Sequence, residues 1–331
     1  MNFEQLLAAA QDFTVPFTTD NLLKLTETKT VILFLAMSVE MLLPLPRCCR
    51  LDVLLPIFRT MGRKVNLESN SPSQRYFAGI MTTLMLCAAV AGAVILVHSV
   101  AGFDSLIVLL LLPFVLESRE CSRHTSSVCK LLKQGDKEQA RQELSEVMLR
   151  ECDRLSPMGC AKAASDYACI FMFKRWFCVM FWFLAAGIEG AVMMQLFNII
   201  SGEFSVKLER NSTFGLFPAR CCELACLIPA LLLGTLISFT WAPLRGLKGG
   251  IAGCKCYPSP SCGFMLGSCG AVLNLSLGGP RYYEGSKCRY PRVGGTNDPA
   301  AASPMKILHR IRFWGILLVG LGVLAEIHLL R

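Results

Sequence analysis

Charge is scarce in this sequence: Asp, Glu, Lys and Arg make up only 17% of 331 residues, against 53% hydrophobic. With a mean hydropathy of +0.48, that balance fits a polytopic membrane protein better than a soluble enzyme. Histidine is scarcer still. The four, His98, His124, His309 and His328, are dispersed, and no Ser/His/Asp arrangement is visible. The phosphate-cradling pattern GxxxxGK[ST] occurs nowhere, so Gly249-Gly250 and Gly278-Gly279 are not P-loops. No basic stripe interleaved with aromatics accompanies the net charge of +9, so no nucleic acid is expected as partner. The first residues, MNFEQLLAAAQDFTV, lack a basic region followed by a cleavage site, so no removable signal peptide is expected.

Cysteine, by contrast, is plentiful. The seventeen are odd in number, scattered, and partly set in apolar runs, in a chain too long for a small disulfide scaffold. Most are expected to be buried and reduced. A zinc site could be imagined from Cys254, Cys256, Cys262, Cys269 and Cys288, or from Cys221, Cys222 and Cys226. The spacings are not those of a CxxC pair and no His lies nearby, which favours packing, and no metal ligand is assigned.

The apolar runs give the organisation. Residues 1–29 read as a peripheral helix or arm, and 30–46 as a short first membrane segment, apolar but for Glu40. Residues 76–103 hold no Asp, Glu, Lys or Arg, enough at ~1.5 Å per residue to cross a ~30 Å hydrocarbon layer. Residues 105–116 are apolar but short. Residues 176–200 are apolar except for Glu189, which Gly187 and Gly190 flank, and a break in the helix there is favoured over an acid at membrane depth. Residues 224–241, interrupted by Pro229, and 313–330 complete the set.

Lys and Arg collect in 47–75, with six, in 117–166, with nine, and in 242–312. By the positive-inside rule these three segments face the cytoplasm, which gives about six crossings with both termini on the far side. The expected architecture is all-α: one polytopic helical membrane domain over 1–331, with a cytoplasmic helical segment at 117–166 and a cytoplasmic loop at 242–312. Membrane lipid is the first partner; oligomeric state is left open. Within 135–155, Asp136 is expected to cap an amphipathic helix with Gln139 completing a capping box, and Ala140, Leu144, Val147 or Met148, and Leu155 on its apolar side.

Residues 259–294 are the most distinctive stretch. Ser259-Pro260 opens a small-residue segment with Gly263, Gly267, Ser268, Gly270 and Ala271, and Gly278-Gly279-Pro280 leads into a Tyr-rich basic loop. The punctuation predicts turn, tightly packed helix, turn and polar loop. Small residues allow close approach of either another helix or a flat ligand, and composition leaves both open. Tyr282, Tyr283, Lys287, Arg289 and Arg292 suit phosphate or an acidic ligand edge, or equally an anionic lipid surface.

SP, a small-residue stretch, LGGP-x-YY-x-G and YPRVGG together resemble the signature region of the CobD/CbiB membrane family. From 135 to 230 the family pattern also lies on this chain without an insertion. GDKEQARQELSEVMLRECDRLS matches its GD, AR and LS run, and FWFLAAGIEGA stands at its FW segment. Asn198 stands at its asparagine, Arg220 and Glu223 in its ARLDD segment, and Pro229-Ala230 in its PAR. The departures fall on polar positions: Ile170, Phe171, Lys174 and Arg175 replace a Glu-Asn pair and an Asp-Gly pair. Ser201 and Cys222 stand where the family has acids, Cys226 where it has Asn, and Leu266 at another acidic place.

The resemblance implies a multi-pass inner-membrane protein of cobalamin synthesis that joins an aminopropanol (phosphate) arm to cobyric acid, with the corrinoid as substrate and Mg²⁺ and ATP as the cofactors of such a step. It implies Asp166, Glu151 and Glu223 as carboxylates for metal or amine. Arg150, Asn198, Arg220 and Lys255 would serve substrate, with Ser259, Pro260, Gly263, Gly278, Gly279 and Tyr283 for the corrinoid. The lost acids imply an alternative: a paralogue that keeps the scaffold without the chemistry, in a sensory or regulatory role.

Overall fold

A computed structural model describes residues 24, 27–46, 50–101, 105–239 and 243–329. The arm expected over 1–29 lies almost wholly outside these residues, as does the side chain of His98. The helices are α1 Lys29–Leu42, α2 Leu55–Val65, α3 Pro72–Ala101, α4 Ser105–Val115, α5 Ser118–Gln134, α6 Lys137–Val147 and α7 Pro157–Met172. After a π-turn at Phe173–Phe177 come α8 Cys178–Glu203, α9 Leu216–Ser238, α10 Pro243–Cys256, α11 Pro260–Leu273 and α12 Ser303–Leu329. Between α11 and α12, β1 Ser276–Gly278 pairs antiparallel with β4 Arg292–Gly294, and β2 Arg281–Tyr283 with β3 Ser286–Cys288. The protein is an all-α polytopic membrane protein carrying these two short ribbons.

Local chemistry explains several boundaries. Ser71 and Gln74 form a reciprocal capping box at the start of α3, each backbone N–H donating to the other's side chain at 2.9 and 3.3 Å. Gly135, at φ 81°, ends α5 in a left-handed cap, and Asp136 at once caps α6 by accepting from Gln139 N at 3.0 Å. The expected apolar side of α6 is there, with Ala140 and Leu144 buried against Val128, Cys160 and Ala164. The helix stops at Val147, however, so Arg150 and Glu151 sit in an irregular connection.

Among the described residues, four stretches are long and apolar enough to cross a membrane: Pro72–Val97, Pro157–Glu203, Leu216–Ser238 and Ser303–Leu329. α1 and α4, with 14 and 11 residues, reach only ~21 and ~17 Å at the helical rise. They pack against each other instead. On α3, Phe77, Met81, Leu84, Met85, Ile95 and Leu96 face outward, as a lipid-facing helix requires.

The stretch from Pro157 to Glu203 is not one rod. Ala186 (φ −132°, ψ 17°) and Gly187 (φ 73°, ψ −160°) leave the helical region, and the chain folds back there. A side chain at Gly190 would strike Trp182 O, and Asn198 Nδ2 donates to Lys174 O at 2.9 Å, so the arms run antiparallel about residue 186. Only glycine adopts Gly187's backbone without strain. The break expected at Gly187 is present, and Glu189 lies beside the tip of this hairpin. The single span expected over 176–200 is corrected to its two arms.

The segment 242–312 holds α10, α11, both ribbons and the start of α12, so the helix expected within 259–294 is present and a second one precedes it. Sequence alone left two uses for the small residues of α11, and the structure decides for helix packing. A Cβ at Gly263 would drive into Gly253 O, one at Gly267 into Gly249 O, and one at Gly253 into Gly263 O. The backbones of α10 and α11 thus touch through glycines on both sides, as in small-xxx-small packing.

The cysteines behave as expected. Ten of the fifteen described are buried, and none of the fifteen is in a disulfide.

Candidate functional site

Asp166, on α7 and 1% exposed, is held from three directions. Its Oδ1 accepts from Gly278 N at 2.9 Å; its Oδ2 accepts from Arg281 at 3.0 Å and lies 3.7 Å from Arg150. Arg281 also reaches Tyr257 Oη at 3.4 Å and stacks over the Tyr290 ring. Burial of a carboxylate is tolerable only with such pairing. The left-handed Gly278 and Gly279 permit the turn that aims the amide at Asp166, and Tyr283 is buried nearby on β2. Glu151 accepts from Gly285 N at 2.5 Å, and its own N–H donates to Tyr282 O at 3.0 Å, pinning the β2–β3 turn.

A second cluster lies where α9 meets the hairpin. Glu223 accepts from Ser259 Oγ at 2.5 Å and from Ser261 N at 2.6 Å, so it satisfies the free amides at the start of α11. Lys174 Nζ is 3.7 Å from Cys222 Sγ, Cys222 Sγ is 3.5 Å from Asn198 Oδ1, and Cys178 Sγ is 3.8 Å from Cys226 Sγ. The π-turn shifts the register of α7 at this point, and such turns concentrate at functional positions.

The residues expected to act together are thus divided. Asp166, Arg150, Glu151, Gly278, Gly279 and Tyr283 meet in one place, and Glu223, Ser259, Pro260 and Asn198 in another. Arg220 and Lys255 are exposed, and Gly263 packs on α10 rather than facing a ligand. Asp166, Glu151 and Glu223 share no partner, and each already accepts from protein donors. They do not form the open oxygen cage that Mg²⁺ takes.

A cavity of about 360 Å³ was missed by sequence reasoning. Arg50, Asp52, Glu117, Glu120, His124, Glu146, Val147, Tyr167, Phe171 and Arg175 line it. Arg175 pairs with Glu117 at 2.7 Å and with Asp52 at 3.2 Å, and Gln195 donates to Glu117 at 2.5 Å. Arg50 pairs with Glu120 at 2.7 Å, and His124 lies between Glu143 at 2.6 Å and Glu120 at 3.2 Å. The hydrogen bond with His124 holds Glu120 well below the usual carboxylate range, and the bond to Glu120 pushes His124 up in turn. Burial pushes Glu117 up against the pull of Arg175. The residues come from segments far apart in sequence; the one local signal was the arginine at 175, within an apolar run.

These contacts join the three basic segments. Arg50–Glu120 ties 47–75 to 117–166, and Asp166–Arg281 with Glu151–Gly285 ties 117–166 to 242–312. A family model described as CobD/Cbib protein matches residues 33–312, which span all three segments. The chain belongs to the CobD/CbiB family. Among its relatives, the Cobalamin biosynthesis protein CobD of Brucella suis biovar 1 is 26% identical over 320 residues, 91% of this chain and 98% of that protein. The protein of the same name in Stutzerimonas stutzeri is 26% identical over 200 residues, 60% of this chain and 66% of the relative. That of Rhodobacter capsulatus is 28% identical over 232 residues, 68% and 73% respectively. No solved structure matches the chain.

Set on this fold, four of the departures from the CobD/CbiB pattern fall at two places. Phe171 and Arg175 line the cavity, while Lys174 and Cys222 face each other beside Asn198, the asparagine that is kept.

Proposed function

We propose that this protein works in cobalamin biosynthesis at the cell inner membrane, in the step that attaches an aminopropanol (phosphate) arm to the corrinoid cobyric acid. The observation that supports this reading is the extent of the likeness. A relative named for cobalamin biosynthesis aligns over nearly its whole length, and the segments carrying the likeness pack together as one fold. Arg150, Lys162 and Arg292 give the Gly278–Gly279 turn a cationic flank that suits a carboxylate-rich corrinoid. Asp166, Glu151 and Glu223 are each held by protein donors and do not fit Mg²⁺.

A second reading rests on Lys174 and Cys222. Both replace acids of the family pattern, and they are neighbours in space. On this reading the protein is a non-catalytic paralogue with a sensory or regulatory role. Complementation separates the two. A strain lacking its own cobinamide-forming enzyme, supplied with cobyric acid, grows on this protein if the first reading holds. Failure to grow, with the protein stably present in the membrane, refutes the first and leaves the second.

A further inference from the structure

The cavity between α5 and α7 is lined by four carboxylates, from Asp52, Glu117, Glu120 and Glu146, and by two guanidiniums, from Arg50 and Arg175. Arg123 also pairs with Glu120 at 3.0 Å and lies 2.7 Å from His124 Nε2, which leaves Nδ1 as the imidazole nitrogen that faces Glu143. At its mouth, His124, Glu143 and Glu146 bring one imidazole nitrogen and two carboxylate oxygens within 4.8 Å of one another. Glu143 and Glu146 are three residues apart on α6 and so share a face, while His124 projects from α5 across the Gly135 turn. A separate observation points to an occupant. Tyr167, 8% exposed, lines the same cavity, and its hydroxyl has no hydrogen-bond partner among the described residues. Buried hydroxyls are rarely left so without a ligand or water to receive them.

We infer that His124, Glu143 and Glu146 hold a divalent transition-metal ion of the Zn²⁺ class at the mouth of this cavity. One imidazole with two carboxylates is a three-ligand set that leaves a coordination position open toward the cavity. The nitrogen donor favours Zn²⁺ over Mg²⁺, which prefers an all-oxygen octahedron. None of the three belongs to the residues that the family resemblance implies for catalysis, and the inference stands whether or not the protein is an enzyme.

The test uses the full chain in detergent, stripped with a chelator and titrated with Zn²⁺, Co²⁺ and Mg²⁺ separately. One Zn²⁺ per chain is expected, with Mg²⁺ at least about 100-fold weaker. Co²⁺ in the same site gives ligand-field bands without the thiolate-to-metal charge-transfer band that cysteine ligation produces. Glu146→Gln, at an exposed position, weakens Zn²⁺ by at least about tenfold, and Glu143→Gln with Glu146→Gln abolishes stoichiometric binding. Size-exclusion elution identical to the parent protein shows that the variants fold. The inference is overturned if no stoichiometric Zn²⁺ binds, if Glu146→Gln binds as tightly as the parent, if Mg²⁺ competes equally, or if the thiolate band appears with Co²⁺.

Discussion

Replacing Arg281 by Met asks whether Asp166 is structural or chemical. The side chain of Asp166 is 1% exposed, and Arg281 supplies its nearest cation, at 3.0 Å. Met keeps the apolar stem and removes the guanidinium, leaving Asp166 with the Gly278 amide at 2.9 Å and Arg150 at 3.7 Å. Breaking a buried pair by removing one partner costs about 3–5 kcal/mol. Because Arg150 remains in reach, the lower end of that range is expected. With an unfolding entropy of about 2.1 cal/mol/K per residue over 331 residues, Tm falls by about 4 °C. Asp166→Asn added to Arg281→Met removes the stranded charge and should recover at least about half of the loss. Thermal unfolding of the detergent-solubilised protein, measured for both singles and the double, provides the cycle. A loss below about 1 kcal/mol for Arg281→Met, or a double no more stable than that single, refutes the view that Asp166 anchors the ribbons.

Gly263→Ala places a Cβ against Gly253 O, which belongs to backbone and cannot rotate away. It should destabilise the protein by about 1–3 kcal/mol, and α10–α11 cysteine cross-linking would report the separation. Glu223→Ala leaves Ser261 N at the start of α11 without its acceptor and should cost about 0.5–2 kcal/mol by thermal unfolding, whereas Arg59→Ala, which breaks a pair with Glu203 at an exposed site, should cost under about 1 kcal/mol. Gly187→Ala puts a side chain where φ is 73° at the hairpin tip; a loss of about 1 kcal/mol or more in the same assay is expected.

How far the sequence reveals this fold depends on whether the signal is local. The capping pair Asp136 and Gln139, the Gly187 break and the Ser259-Pro260 helix start are all legible, because each is a short-range rule about backbone amides or φ. Whether α11's glycines face a helix or a ligand is not legible, since the answer lies in Gly249 and Gly253, on a helix that a Gly-rich, Lys-bearing stretch disguises as a loop. Which apolar runs cross is not legible for a related reason. Composition marks 30–46 and 176–200 as apolar, but chain direction decides whether an apolar run spans or folds back. The site is the least legible part. Glu117, Arg175 and Asp52 are joined only by tertiary packing, and a salt bridge between residues 58 and 123 positions apart leaves no periodicity to read.

The grouping of the departures argues for a coordinated change rather than drift. A cation at 174 beside two carboxylates would be drawn to them, whereas Lys174 here faces a thiol at 222 and the amide of Asn198. Exchange of an acid for Lys at one place and for Cys at the other replaces two oxygen donors with an internal ammonium and a soft sulfur, neither of which suits a hard cation. Next to them Arg175 takes Glu117 and Asp52 as partners, so two carboxylates facing the cavity share one guanidinium from the same turn. The π-turn at Phe173–Phe177 sets both basic residues at once, Lys174 toward α9 and Arg175 toward the cavity. One short helical irregularity therefore sets two of the departures, at 174 and 175, against two different surroundings.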